Sequence, residues 1–222
     1  MVGSDTELVE AVVKQMGYDY EIRMLPWKRV EIEAGIGKID MVYSITDIPS
    51  RAEHYFFSDP ISVVGDTFFK RKKDHITFKK LEDLSRYRIG TSADYNYSPE
   101  FMALVANHTL STEAVVGTAP ELQNFLKLTR GRIDLFICEK NVCNYYIRKH
   151  GAIDPIFNTL DYIDQSTGGE RLFRVGLPKG NGIPGQDKKS ARLLEEFNRA
   201  PKAIPKAQKT LIYDKYYVDT KQ

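Results

Sequence analysis

Several short apolar runs in this sequence end in residues able to grip a small polar molecule. The run Tyr20 to Leu25 is followed by Pro26 and Trp27. The run from Ile39 closes on Tyr43 and Ser44, with Thr46 next and Arg51 a turn later. Tyr87 to Thr91 leads into Ser92, Asp94, Tyr95 and Asn96, and Ile133 to Cys138 is followed by Glu139. In open α/β sheets, ligands bind outside the carboxyl ends of the strands, so these are the positions where a ligand belongs. The set suits a zwitterion. Arginine offers a two-pronged donor to a carboxylate, a glutamate accepts from an ammonium, and aromatic faces cover apolar parts. Each residue also has an ordinary structural reading. Arg51 fits the surface of a Pro49-led turn, Glu139 fits a solvated cap of the helix through Tyr145, and Trp27 fits a core. Their joint placement at strand ends carries the functional reading.

The elements that must position these residues follow from pattern. Ser4 and Glu7 have capping-box spacing. Leu8, Val9, Val12, Val13 and Met16 make one helical face that stops at Gly17. A second helix ends at Gly35 to Gly37, before the buried run 39–44. Ser98-Pro99-Glu100 places a cap and a first-turn proline. Thr118-Ala119-Pro120-Glu121 reads as another capping box, and its helix closes at Gly131. Helices alternating with short apolar strands predict parallel α/β layers. Gly37-Lys38-Ile39-Asp40 is echoed by Gly131-Arg132-Ile133-Asp134 at the same helix-to-strand junction, which favours two similar α/β lobes. Two further strand-like segments, Asp66 to Lys70 and Arg171 to Leu177, predict the crossings between lobes. The expected division is 1–72 for the first part of lobe one, 73–171 for lobe two, and 172–222 for the return. That return carries a helix over Ala191 to Phe197 and the aromatic-rich stretch Tyr213 to Tyr217.

Bulk properties exclude several classes. The chain has 222 residues, 42% hydrophobic and 28% charged, with a formal charge of +2. That balance is too weak to predict nucleic acid or an anionic membrane as partner. The basic run Lys70 to Lys73 reads as a solvated strand end. No apolar stretch approaches the length of a membrane span, and the first residues carry no signal-peptide pattern. Neither the histidines nor the cysteines have metal-ligand spacing, so neither metal nor cofactor is expected. Cys138 and Cys143 read first as buried free thiols, with a local disulfide or a redox role as the alternatives.

Ser44-Ile45-Thr46-Asp47-Ile48-Pro49-Ser50-Arg51-Ala52, followed by Phe57-Ser58-Asp59-Pro60, resembles the bacterial extracellular solute-binding proteins of family 3, the polar amino acid receptors. The shared pattern is hydroxyl residues, a proline turn, an arginine and then Phe-Ser-Asp-Pro. Leu81-Glu82-Asp83-Leu84 and Gly131-Arg132-Ile133-Asp134 match as well. The resemblance runs from Leu8 to about Tyr217. It implies a type II periplasmic-binding-protein-like fold: two α/β lobes joined by two crossing strands, closing by hinge motion on a ligand in the cleft. It also implies a periplasmic receptor that delivers an amino acid or related carboxylate to the membrane permease of an ABC importer. Arg51 then holds the α-carboxylate with Thr46 and the backbone around Ser44. Glu139 takes the α-ammonium, and Trp27, Tyr95 and Asn96 touch the ligand side chain.

The sequence departs from the family in two places. Asp94-Tyr95-Asn96 stands where a Gly-Thr-Thr-like segment is usual, and an acidic Asp94 favours a cationic ligand or caps the next helix. Members also carry an export signal, an initial strand and an aromatic-bearing loop before the first helix, and that first strand of lobe one is expected to be missing here. The same scaffold supports two other expectations: a cyclohexadienyl-dehydratase-like enzyme with Glu139 as general acid, and a sensory ligand-binding module.

Overall fold

The computed structural model describes residues 3–93, 95–165, 167–202, 204 and 206–216, excepting the side chains of 202, 206–209 and 214. Asp94 and Tyr217 lie outside them. In chain order the elements are α1 (Ser4–Gln15), α2 (Trp27–Gly35), β1 (Val42–Ile45), α3 (Pro49–Ala52), β2 (Tyr55–Phe57), β3 (Ser62–Arg71), β4 (Arg88–Ser92), α4 (Pro99–Ala106) and β5 (Ser111–Val115). There follow α5 (Pro120–Thr129), β6 (Leu135–Glu139), α6 (Lys140–Gly151), β7 (Leu160–Tyr162), β8 (Glu170–Pro178), α7 (Gln186–Arg199) and α8 (Lys206–Tyr216). The chain forms two compact units. One comprises Met1–Val63 with Leu172–Gln222, and the other is Val64–Arg171.

In the first unit β8 pairs antiparallel with β1 (Val42 opposite Gly176) and with β2 (Phe57 opposite Gly176). These pairings are antiparallel, where alternation of helix and strand had predicted parallel layers. Side chains alternate across a strand, and the two faces build separate cores. Tyr43, Phe56, Val175 and Leu177 pack with Leu8, Val9, Val12 and Val13 of α1 and with Leu193 and Phe197 of α7. On the other face Val42, Ile45, Tyr55 and Phe57 pack with Ala34, Trp27 and Val30 of α2. Burying each such aliphatic or aromatic side chain contributes about 1.5–3 kcal/mol. The helix α1 ends as its pattern predicts, at Gly17 with φ 80°, where the Gly17 and Tyr18 N–H groups donate back to Lys14 and Val13 carbonyls.

Two expectations for this unit fail. Ser4 is the first helical residue, not the cap. Gly3 occupies the cap without a side-chain bond, and Glu7 instead engages Lys215 and the Tyr216 hydroxyl. Tyr20 to Leu25 is not a strand. Tyr20 and Met24 are exposed, and among the described residues no neighbouring strand takes up the backbone groups of this segment. Alternating side chains cannot make a strand without such a partner.

In the second unit the parallel prediction is met at β4, which pairs parallel with both β5 and β6. Beyond β6 the sheet turns antiparallel through β3 and then β7. One face carries Phe68, Ile89, Leu135 and Ile137 against Phe101 and Leu84. The other carries Phe69, Phe136 and Cys138 against Phe125 and Leu128 of α5. Ser98 caps α4 as expected, its Oγ accepting from the Phe101 N–H at 3.3 Å. The second expected box fails, because α5 starts from Ala119 with no side-chain cap and Pro120 leading. At the end of β3, Arg71 donates to the Leu128 and Ile133 carbonyls while Lys72 and Lys73 are exposed. Cys138 and Cys143 are joined as a disulfide with Cα atoms 6.2 Å apart. The free-thiol reading is therefore corrected: the step from β6 into α6 folds the two residues back to bridging distance.

Candidate functional site

The first unit brings Arg51, Thr46 and Trp27 together. Arg51 lies in α3, whose first turn Pro49 opens after Ile48. Its Nη1 donates to Thr46 Oγ1 at 2.8 Å. Its guanidinium carbon stands 4.6 Å from the centre of the Trp27 ring. The ring is itself fixed, since Trp27 Nε1 donates to Glu31 Oε1 at 3.0 Å. Thr46 is buried, whereas Arg51 and Trp27 are half-buried. A hydroxyl and an aromatic face thus orient a charged fork with part of it reaching solvent. Burial pushes the Tyr55 hydroxyl up to about 12, with Glu31 adding to the shift and Arg51 opposing it.

Ser44 and Tyr43 take other partners. Ser44 has φ 57° in the bulge of β1, and its hydroxyl donates to Asp5 Oδ2 at 2.7 Å. Ser62 donates to the same oxygen at 3.1 Å. Burial raises the Asp5 carboxyl above its ordinary value, and the serine hydroxyls offset part of that. Tyr43 packs in the α1 core, with its hydroxyl 3.1 Å from Thr6 Oγ1. Asp5 is a site neighbour that pattern reading missed, because the helix start drew attention to Ser4 alone.

In the second unit Glu139 caps α6. Its Oε2 accepts from the Val142 N–H at 2.6 Å and its Oε1 from Asn141 Nδ2 at 3.1 Å. The cap reading is correct for this side chain. It remains half-buried, and a carboxylate oxygen has capacity beyond one donor. Directly across the β3–β6 ladder sits Asp66, whose Oδ1 accepts from Arg171 Nη2 at 2.6 Å. Burial raises the Asp66 carboxyl, and Arg171 pulls it part of the way back. Arg171 also donates to the Asn96 carbonyl, so the loop after β4 is tied by its backbone. Tyr95 is 47% exposed, yet its hydroxyl donates to Glu121 Oε1 at 3.0 Å. Burial raises both the Tyr95 hydroxyl and the Glu121 carboxyl. Asp66, Arg171 and Glu121 were not singled out from sequence. Glu121 was read as a capping residue, and Asp66 and Arg171 as strand ends far apart in the chain.

Among the described residues no group of three or more His, Cys, Asp or Glu side chains could hold a metal ion. Nor is any helix among them long and apolar enough to cross a membrane.

A solved ancestral arginine-binding protein, bound to arginine, superposes with a TM-score of 0.79 at 21% identity, covering 98% of this chain and 88% of that one. A histidine kinase sensor domain with similarity to periplasmic binding proteins superposes at 0.77 with 20% identity, covering 97% and 86%. At such identities the likeness shows the fold. A curated relative, the probable amino-acid-binding protein YxeM of Bacillus subtilis (strain 168), is 24% identical over 164 residues. That match spans 70% of this chain and 60% of the relative's length. The family model described as bacterial extracellular solute-binding proteins, family 3, matches residues 1–219. A match of that span decides membership, and the chain belongs to the bacterial extracellular solute-binding proteins of family 3.

Proposed function

We propose that this chain is a receptor, and not an enzyme, that captures an α-amino acid or a related carboxylate outside the cytoplasm and delivers it to the permease of an ABC importer. The observation that carries this reading is the Arg51 guanidinium, oriented by the Thr46 hydroxyl and the Trp27 ring. Such a fork pairs with a carboxylate through two parallel N–H···O bonds. Glu139 supplies the complementary acceptor for an ammonium. Trp27 and Tyr95 offer aromatic faces to the ligand side chain and Asn96 offers an amide. Ser44 and Tyr43 serve from behind, through Asp5 and the α1 core. Family membership and the amino-acid-binding relatives support an amino acid as the ligand. Both Glu139 oxygens accept N–H groups. That arrangement suits an acceptor for a cation better than the proton donor that a dehydratase needs.

Calorimetric titration with the twenty L-amino acids tests the proposal. Arg51→Ala should weaken the best of them by about 2–5 kcal/mol, because one partner of a charge-assisted pair is lost. Arg51→Lys should recover only part, since an ammonium is a point charge without the fork. Unchanged affinity in Arg51→Ala would overturn the assignment. Turnover of prephenate or arogenate by the wild-type chain would replace a receptor with an enzyme.

A further inference from the structure

Glu139 lies inside a small covalent ring. Cys138 is the last residue but one of β6, Cys143 sits one turn into α6, and their disulfide encloses Glu139, Lys140, Asn141 and Val142. Both donors to the Glu139 carboxylate, Asn141 Nδ2 and the Val142 N–H, belong to this same ring. The ring is anchored on both sides. Cys138 lies opposite Thr67 in the β3–β6 ladder, and Cys143 is fully buried beside Phe125, Phe136 and Phe157. Lys140 leaves the ring to pair with Asp164 at 3.2 Å.

We infer that the Cys138–Cys143 disulfide is a positioning element for Glu139, holding the carboxylate where it meets the ligand ammonium. The inference rests on the proposed role of Glu139. A helix N-cap by itself frays, since the first turn has few bonds to hold it. Closing the ring removes backbone freedom at the residues that carry the acceptor and its two donors. A carboxylate fixed before the ligand arrives spares the ordering cost of binding. Neither cysteine needs to touch the ligand.

The test compares wild type, Cys138→Ala/Cys143→Ala and Glu139→Gln. The probes are the twenty L-amino acids and, for each that binds, the same acid lacking its α-amino group. The double alanine variant should bind the amino acids about three- to tenfold more weakly, the scale of one or two side chains losing their preorganisation. Its affinity for the des-amino acids should not change, which a general loosening of the fold would not reproduce. If the double variant does not fold, dithiothreitol makes the same cut in the wild-type chain. The S–S bond becomes two thiols, and the dithiol becomes its cyclic disulfide. Weaker amino-acid binding in Glu139→Gln, together with wild-type binding after the disulfide is lost, overturns the positioning role alone. Full amino-acid affinity in Glu139→Gln, or no binding of any amino acid by the wild type, removes the Glu139 reading and this inference with it.

Discussion

Ser44 occupies the left-handed region at φ 57°, a conformation that costs a side-chain-bearing residue about 1–2 kcal/mol. The structure keeps it there with one identifiable bond, from its hydroxyl to Asp5 Oδ2. Two substitutions separate these effects. Ser44→Ala keeps the strain and loses the bond, which leaves the Asp5 carboxylate short of a donor. Ser44→Gly loses the same bond but is at ease with positive φ. In urea titrations Ser44→Ala should therefore be the less stable by about 1 kcal/mol. Equal stability, or a more stable alanine variant, would show that the bulge stores no strain. The residue types of the candidate site were legible from sequence, because recognition of a small polar ligand draws on a short list of chemistries. Which side chain turned toward which partner was not. Ser44 and Thr46 are separated by one residue and both carry hydroxyls, yet one faces Asp5 and the other Arg51. The difference lies in the bulge at Ser44, which leaves no mark in composition.

At the scale of elements, periodicity located the helices because their apolar faces repeat over several turns, as in α1 and α7. It misjudged Tyr20 to Leu25, since a strand exists only through its neighbour. It also misjudged caps at Ser4 and Thr118, where Gly3 and Ala119 serve without side-chain bonds. The docking of α5 on β4 shows what pattern reading lacks. Asn124 is fully buried and donates to the Thr91 carbonyl at 3.0 Å and the Pro120 carbonyl at 3.1 Å. Its oxygen lies so near the strand that a Cβ on Gly90 would meet it at 2.5 Å, and Ile133 Cδ1 at the same distance. Gly90 is thus the gap that lets the helix approach. Gly90→Ala should destabilise the chain by about 1–3 kcal/mol through overpacking, read as a lower urea midpoint. A wild-type midpoint would mean that α5 can shift outward without loss.

Over the whole molecule the carboxyl groups fall into opposed sets, and their balance decides how stability follows pH. Asp5 lies beside candidate residues of the first unit, Asp66 and Glu121 beside those of the second, and burial raises all three. Asp134, Asp83, Glu7 and Glu33 are lowered. Asp134 is held down chiefly by hydrogen bonds from Arg88, and Asp83 by the Lys79 and Lys80 N–H groups. Ordinary carboxyl values are about 3.9 for Asp and 4.3 for Glu. A raised acid keeps its proton in the folded chain at a pH where the unfolded chain has lost it, so stability falls as pH rises through that interval. A lowered acid contributes stability above its ordinary value, and the contribution is lost as pH falls through the lower folded value. The melting temperature should therefore peak near about pH 4–5 and decline toward neutral pH, because the buried set titrates only above the ordinary range. A carboxyl that titrates one pH unit away from its ordinary value changes stability by about 1.4 kcal/mol. In a chain this size about 1 kcal/mol moves the melting midpoint by roughly 2–4 °C. Glu121→Gln should flatten the decline on the neutral side, because it removes one of the buried acids. It should leave the acid limb, which belongs to the lowered carboxyls, unchanged. Calorimetric scans from about pH 3 to 8 decide the matter. A melting temperature that climbs steadily from pH 5 to 8 would mean that the buried carboxylates are paired well enough to outweigh their burial.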